Sequence, residues 1–261
     1  MLDLGLFLVL IGGLVYIFYY IIPRKFNQAE SESPVQPARN PPETKNDKQN
    51  LTQASPGHIP DKFEEFATLM AEDVTEGWDV VKDTPDLKVY KKITESSPVA
   101  IIKATIIVQN TTADDALFAI WDGEFRREWD DVLQDFKVIE KYSETSDVIY
   151  FYAASPVPTI VSNREFVQYR KYRKDGKGIL IVYWSADKED LPIPEGWVRA
   201  NTIISGYYIK PIENGVEMYF ISQNDVRGKI PPKLINAVAP TKAMEWSKKF
   251  KKACALLKKR R

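Results

Sequence analysis

Between residues 135 and 223 the chain repeats one pattern. The runs 136–142, 147–154, 165–174, 178–185, 197–210 and 216–223 are rich in Val, Ile, Tyr and Phe. Two of the breaks between them, Asp175-Gly176 and Asn214-Gly215, are tight-turn dipeptides that suit two-residue hairpins. Strands joined by short turns must run antiparallel to their neighbours, so this stretch predicts an antiparallel meander and excludes a helical bundle. Three further strand-like runs precede it, at 78–82, 87–92 and 99–108.

Helical signals flank the strands. Asp61 is placed to cap a helix reaching about Val74, with Phe63, Phe66, Ala67 and Met70 at helical spacing. Thr112, Asp114 and Asp115 open a short helical stretch through Trp129. Pro231 and Pro232 start a C-terminal helix, with Leu234, Ile235, Val238, Trp246, Phe250, Cys254 and Leu257 as its apolar side. Pro240 is expected to kink it. The order of elements predicts an α+β domain over 61–261, with one curved antiparallel sheet and the long helix lying across it. Such a sheet, closed on one side by a helix, has room for a cavity.

The N-terminal 60 residues have a different character. Residues 4–22 form a run of 19 with no charge and no Pro. As a helix the run spans about 28 Å, close to the hydrocarbon thickness of a bilayer. Tyr16, Tyr19 and Tyr20 sit near one end, as an interfacial belt would. A cleaved signal peptide would need a basic start, a shorter run and a small-residue cleavage site, and these are missing. Residues 1–23 are therefore expected to be a transmembrane anchor. Arg24 and Lys25 follow the run and no Lys or Arg precedes it, which predicts a single-pass protein with the bulk of the chain in the cytosol. Residues 23–60 hold seven Pro and one aromatic residue, too little apolar surface to offset chain entropy. A disordered linker over 24–60 is expected, with a reach of roughly 35 Å.

Several chemistries are excluded. The one His, His58, lies in that linker, so no His-based triad or metal cluster fits in the domain. Cys254 is the one cysteine, which rules out an internal disulfide. The G-x-S-x-G, P-loop and dinucleotide-binding patterns do not occur. The adjacent acids Asp114-Asp115 and Asp130-Asp131 sit where helix caps are expected. No metal and no cofactor is implied, and no enzyme activity is expected.

Three segments then stand out, in order: FRREWDD at 125–131, SPVPTIVSNREFVQYR at 155–170 and DVRGKIPPKLIN at 225–236. Together they resemble the START (StAR-related lipid-transfer) family over about 61–257. The resemblance implies a helix-grip fold with a lipid-sized tunnel, and non-enzymatic binding and transfer of one lipid. Around 125–131 and 148–170 the chain is similar to the phosphatidylcholine-transferring members. By that similarity Arg126 meets a headgroup phosphate with Asp130 beside it, Phe151 and Phe166 match two positions of an aromatic cage, and Ile203 falls at a third. A phospholipid is the first expectation, with a sterol or ceramide as alternatives. A lipid-sensing scaffold and an acyl hydrolase on the same fold are the rival roles. Arg126 and Asp130 are also four apart in a helical stretch and suited simply to pair with each other. The resemblance further implies that Val157, Ile160 and Val161, in the loop, and Trp246 and Phe250, on the long helix, form a gate that touches membrane.

Charge points to a surface. Residues 242–261 carry nine Lys and Arg against Glu245, while 61–241 carry a net −8. An acidic body argues against nucleic acid. The basic end is either a solvated helix face or a surface for an anionic leaflet.

Overall fold

The computed structural model describes residues 61–155 and 161–260. The expected anchor (1–23), the expected linker (24–60), Val157 and Ile160 lie outside the described residues. Among the described residues no helix is long and apolar enough to cross a membrane.

Within the described residues four helices and ten strands follow one another: α1 (Phe63–Ala71), β1 (Asp79–Thr84), β2 (Leu87–Thr94), β3 (Ser97–Gln109), α2 (Ala113–Trp121), α3 (Gly123–Trp129), β4 (Gln134–Ser143), β5 (Ser146–Ala153), β6 (Arg164–Lys174), β7 (Ile179–Ser185), β8 (Val198–Arg199), β9 (Asn201–Ile212), β10 (Gly215–Asp225) and α4 (Pro232–Arg260). The expected run 197–210 is divided: β8 pairs with β6 in parallel before β9 begins. The rest form one antiparallel sheet in the order β1-β2-β3-β10-β9-β7-β6-β5-β4.

Alternation along the strands sorts side chains onto two faces. On β7, Ile179, Ile181 and Tyr183 join the core under α4, while Leu180, Val182 and Trp184 join a second cluster with Phe63 and Phe66 of α1. On β3, Ile102, Ala104, Ile106 and Val108 face α4 and Ile101 faces α1. Central strands buried on both faces must read as nearly continuous apolar runs, and these do.

Local chemistry fixes the ends of the elements. Asp61 Oδ1 accepts from Phe63 N at 2.9 Å, Thr112 Oγ1 from Asp115 N at 3.1 Å and Asp122 Oδ1 from Phe125 N at 2.8 Å. The Asp122 cap divides the expected helical stretch into α2 and α3. The β6–β7 turn has Gly176 at φ +79°, and Asp175 Oδ1 accepts from Lys177 N and Gly178 N. At Gly206 a Cβ would meet Ile181 O at 2.3 Å and the Phe66 ring at 2.9 Å, so the missing side chain lets α1 seat against β9.

The long helix runs unbroken through Pro240. Its buried stripe is Asn236, Pro240, Ala243, Ser247, Phe250, Ala253, Cys254 and Leu257. Leu234, Ile235 and Val238, expected on the apolar side, are only half-buried. The side chain of Asn236 explains the difference. Its Oδ1 accepts from Ala100 N at 2.8 Å and its Nδ2 donates to Pro98 O at 2.9 Å, so the amide clamps α4 to β3 and sets the rotation of the first turns.

Candidate functional site

The short helix α3 holds the site. Its cap at Asp122 directs residues 126 and 130, one turn apart, into the space between sheet and α4. Arg126 is 7% exposed and Asp130 3%. Arg126 Nε and Nη2 both donate to Asp130 Oδ2, at 3.2 and 3.1 Å. Arg126 Nη1 donates to Ile120 O at 3.1 Å and to the Tyr183 hydroxyl at 3.4 Å. Trp246 Nε1 on α4 donates to the same Asp130 Oδ2 at 3.2 Å. That oxygen therefore takes three donors, while the other, Asp130 Oδ1, is buried with no hydrogen-bond partner.

Burial alone would pull the Arg126 pKa down, but Tyr207, Tyr183 and Asp130 outweigh it, and the net shift is upward. The guanidinium stays charged. Burial pushes the Tyr207 phenol upward, partly opposed by Arg126, so Tyr207 stays neutral.

Aromatic rings wall the pair. Tyr207 stacks on Trp246 (centroids 5.0 Å apart), and Trp246 stacks on Phe250 (5.0 Å) and Phe220 (5.8 Å). Trp129 meets Trp246 edge-on at 5.7 Å and donates from Nε1 to Ala119 O. Rings of this size offer wide apolar faces, and a charged pair among them supplies one polar anchor. The space between α4 and the sheet is occupied by these rings in this conformation.

The other expected site residues are placed as follows. Phe151 and Phe166 are direct cross-strand partners and stack in parallel, 4.8 Å apart and 6° from coplanar. Ile203 is the extra residue of a β-bulge: Ile204 pairs with Gln223 and Thr202 with Asn224, leaving 203 unpaired in the ladder. Its carbonyl accepts from Lys62 Nζ at 3.0 Å. Trp246 is half-buried and Phe250 is 0% exposed, so in this conformation Phe250 is a core residue. Val161 borders the undescribed segment and is half-buried. Arg164 donates to Val226 O and Arg227 O, which ties the start of β6 to the connection into α4.

Sequence reasoning missed two polar groups on the same inner face. Arg170 grips Asp147 through Nε to Oδ1 (2.6 Å) and Nη2 to Oδ2 (2.8 Å), and donates from Nη1 to Trp121 O. Its guanidinium lies 3.9 Å from the Trp121 ring centroid. Further along β6, Gln168 Nε2 donates to Thr202 Oγ1, which donates to Asn224 Oδ1. The signal was parity. Asp147 shares the inward register of Phe151, as Gln168 and Arg170 share that of Phe166, and polar side chains at inward positions of buried strands must find partners.

A ten-stranded sheet, antiparallel but for the short β8, gripped by a long C-terminal helix with a buried ion pair between them, defines a helix-grip protein. A family model described as the START domain matches residues 62–260. The chain belongs to the START domain family.

Human StAR-related lipid transfer protein 4 is 27% identical over 172 residues, covering 63% of this chain and 80% of that protein. Mouse START domain-containing protein 10 is 25% identical over 200 residues, covering 75% and 67%. Ceramide transfer protein of Cricetulus griseus is 22% identical over 194 residues, and the match spans 66% of this chain and 32% of that longer protein. Among solved structures, the crystal structure of human STARD10 superposes with a TM-score of 0.69 at 24% identity, covering 76% of this chain and 80% of that one. Human StAR-related lipid transfer protein 5 gives 0.67 at 18% identity, covering 74% and 92%.

Proposed function

We propose that the domain binds one lipid between α4 and the sheet and carries it between membranes. The observation that supports this most is a buried charged pair walled by aromatic rings, with one carboxylate oxygen, Asp130 Oδ1, left without a donor. A buried orphan acceptor costs roughly 1–3 kcal/mol, and a ligand that donates to it recovers that loss. The ring stack yields when α4 shifts, and each lipid CH₂ that replaces water contact contributes about 0.8 kcal/mol. Two relatives are named for lipid transfer and for ceramide transfer, in keeping with this reading.

For the headgroup, a phospholipid uses the Arg126 fork, which is suited to phosphate once Asp130 shares its bonds. Phe151 and Phe166 stack on one another, so any cage for choline needs them to part. A second reading is favoured by Asp130 Oδ1: the hydroxyl of a sterol or ceramide donates to it with no rearrangement of Arg126. Mass spectrometry of lipid co-purifying with residues 61–261, paired with a liposome-to-liposome transfer assay, tests both. Arg126→Leu abolishing phospholipid loading while sparing sterol would support the first. Asp130→Asn weakening sterol or ceramide loading more than phospholipid loading would support the second. A folded domain that loads and transfers no lipid sinks the proposal, and loading without transfer leaves the sensor role.

The proposal extends to location. Residues 4–22 anchor the chain and the domain faces the cytosol, on the sequence argument of charge-flanked hydrophobicity. The sequons at Asn50 and Asn110 then stay unmodified in cells. Glycan on either one overturns the orientation.

A further inference from the structure

The inward face of the sheet changes chemistry along its strands. At one end it is apolar: Ile179, Ile209 and Met218 pair across β7, β9 and β10, and so do Ile181, Tyr207 and Phe220. The next rung carries Tyr183, Ser205 and Ser222. The last, across the adjacent strands β6, β7, β9 and β10, carries Gln168, Ser185, Thr202 and Asn224. The bulge at Ile203 shifts the alternation of β9 by one, which turns Thr202 inward although Ile204 faces α1.

These neutral groups form a chain. Gln168 Nε2 donates to Thr202 Oγ1 at 2.5 Å, Thr202 Oγ1 to Asn224 Oδ1 at 2.6 Å and Asn224 Nδ2 to Ser222 Oγ at 2.6 Å. Ser185 Oγ accepts from Thr202 N at 2.8 Å. The chain leaves capacity over: Ser185 and Ser222 donate no bond among the described residues, and Gln168 Oε1 accepts none. Ser185, Ser205, Ser222 and Asn224 are half-buried although they lie on the inward face of central strands, so the space above them is open. Holding the sheet does not require such a chain, since the apolar rungs pair without one. An acyl chain or a choline laid over it would leave its donors and acceptors unmatched, at a cost. A sterol brings one hydroxyl. A cyclic polyol brings several, each able to donate and accept. The row also adjoins the ion pair: Arg126 Nη1 donates to the Tyr183 hydroxyl at 3.4 Å, and Ser185 lies two residues further along β7, about 7 Å away. A phosphate on Arg126 therefore sets its headgroup beside the row.

We infer that the polar row of Gln168, Ser185, Thr202, Ser222 and Asn224 binds the ring of a polyhydroxylated lipid headgroup. With Arg126 taking a phosphate, that headgroup is an inositol phosphate. The inference rests on the reading of the space between α4 and the sheet as a lipid site, and it names the class of lipid.

The full chain is incubated with vesicles holding a trace of one photoactivatable lipid: phosphatidylinositol, glucosylceramide, phosphatidylcholine or cholesterol. Adducts are mapped by mass spectrometry to peptides of residues 61–260. Phosphatidylinositol is expected to label the domain about tenfold more than phosphatidylcholine of matched acyl chains. The double variant Ser185→Ala, Ser222→Ala is expected to lower that labelling about fivefold per hydrogen bond lost, with phosphatidylcholine labelling level. Native-state proteolysis checks the fold of the variant, and if it does not fold the wild-type ratio between probes decides. Labelling by glucosylceramide in place of phosphatidylinositol keeps the polyol assignment and identifies its source as a sugar. Labelling by phosphatidylcholine or cholesterol that equals both polyol probes overturns the inference and leaves lipid binding standing. So does a preference for phosphatidylinositol that a folded double variant retains in full. Absence of any adduct on the domain, with all four probes, overturns the lipid-binding reading itself and this inference with it.

Discussion

Trp246 on the long helix and Asp130 at the end of α3 are joined by one hydrogen bond, Nε1 to Oδ2 at 3.2 Å. The same oxygen holds Arg126 through two donors, so the helix that closes the sheet is latched directly to the buried ion pair. Motion of α4 and the state of the Arg126–Asp130 pair are therefore coupled.

This latch predicts asymmetric stability effects. Asp130→Asn leaves Arg126 buried without its counter-charge and is expected to cost about 3–5 kcal/mol in denaturant unfolding. The double variant Arg126→Met, Asp130→Leu replaces both charges and should cost distinctly less. Trp246→Phe keeps a ring but removes the donor, for a loss of about 1.5–3 kcal/mol, as for other bonds to charged groups. If Asp130→Asn alone proves harmless, the pair is not what holds this region.

Asn236 sets the start of α4. Asn236→Ala strands Ala100 N and Pro98 O and should cost about 1–3 kcal/mol. Proteolysis in the native state should then begin near the first turns of α4, before global unfolding. Unchanged cleavage would show that the clamp does not fix the helix.

Gly206→Ala tests the seat of α1. The new Cβ meets backbone at Ile181 O, which cannot swing aside, as well as the Phe66 ring. A loss of about 1–3 kcal/mol is expected. Phe66→Ala, at a fully buried position, should cost about 3–5 kcal/mol. The two losses should add to less than their sum, since both loosen one contact.

Alkaline pH should unfold the domain through groups it holds neutral. Burial pushes the Cys254 thiol up to about 12, and burial followed by Glu165 pushes the Tyr150 phenol up to about 12. A raised pKa means the folded state favours the protonated form. Its stabilisation is full below the unfolded value, near 9 for the thiol and 10 for the phenol, and fades as pH climbs towards 12. Thiol reagents at about pH 8 should modify Cys254 only on unfolding. Fast labelling of the native domain, or stability flat between about pH 9 and 12, counts against this.

The sequence by itself determined what depends on near neighbours along the chain. Strand alternation, the Asp175-Gly176 turn, the cap at Thr112, the bond from Phe63 N to Asp61 just before α1 and the placing of Arg126 one turn from Asp130 all involve residues a few positions apart. Their geometry is set by backbone periodicity, which composition reveals directly. The family segments extended that reading to the whole fold. Tertiary structure decided the pairings between distant residues. It set β3 beside β10, and it joined Trp246 to Asp130 across 116 positions. It also paired Asp147 with Arg170 and bulged β9 at Ile203, which took that residue out of the regular ladder. It turned Asn236 and Pro240 inward where periodicity favoured Leu234, Ile235 and Val238, because two backbone groups on β3, Ala100 N and Pro98 O, take their hydrogen-bond partner from the Asn236 amide. It likewise divided the basic residues of α4 into those neutralised by Asp86, Glu128 and Asp131 and those left facing outward. Charge along a sequence is a count, but whether a charge is available depends on which acids the fold brings within reach.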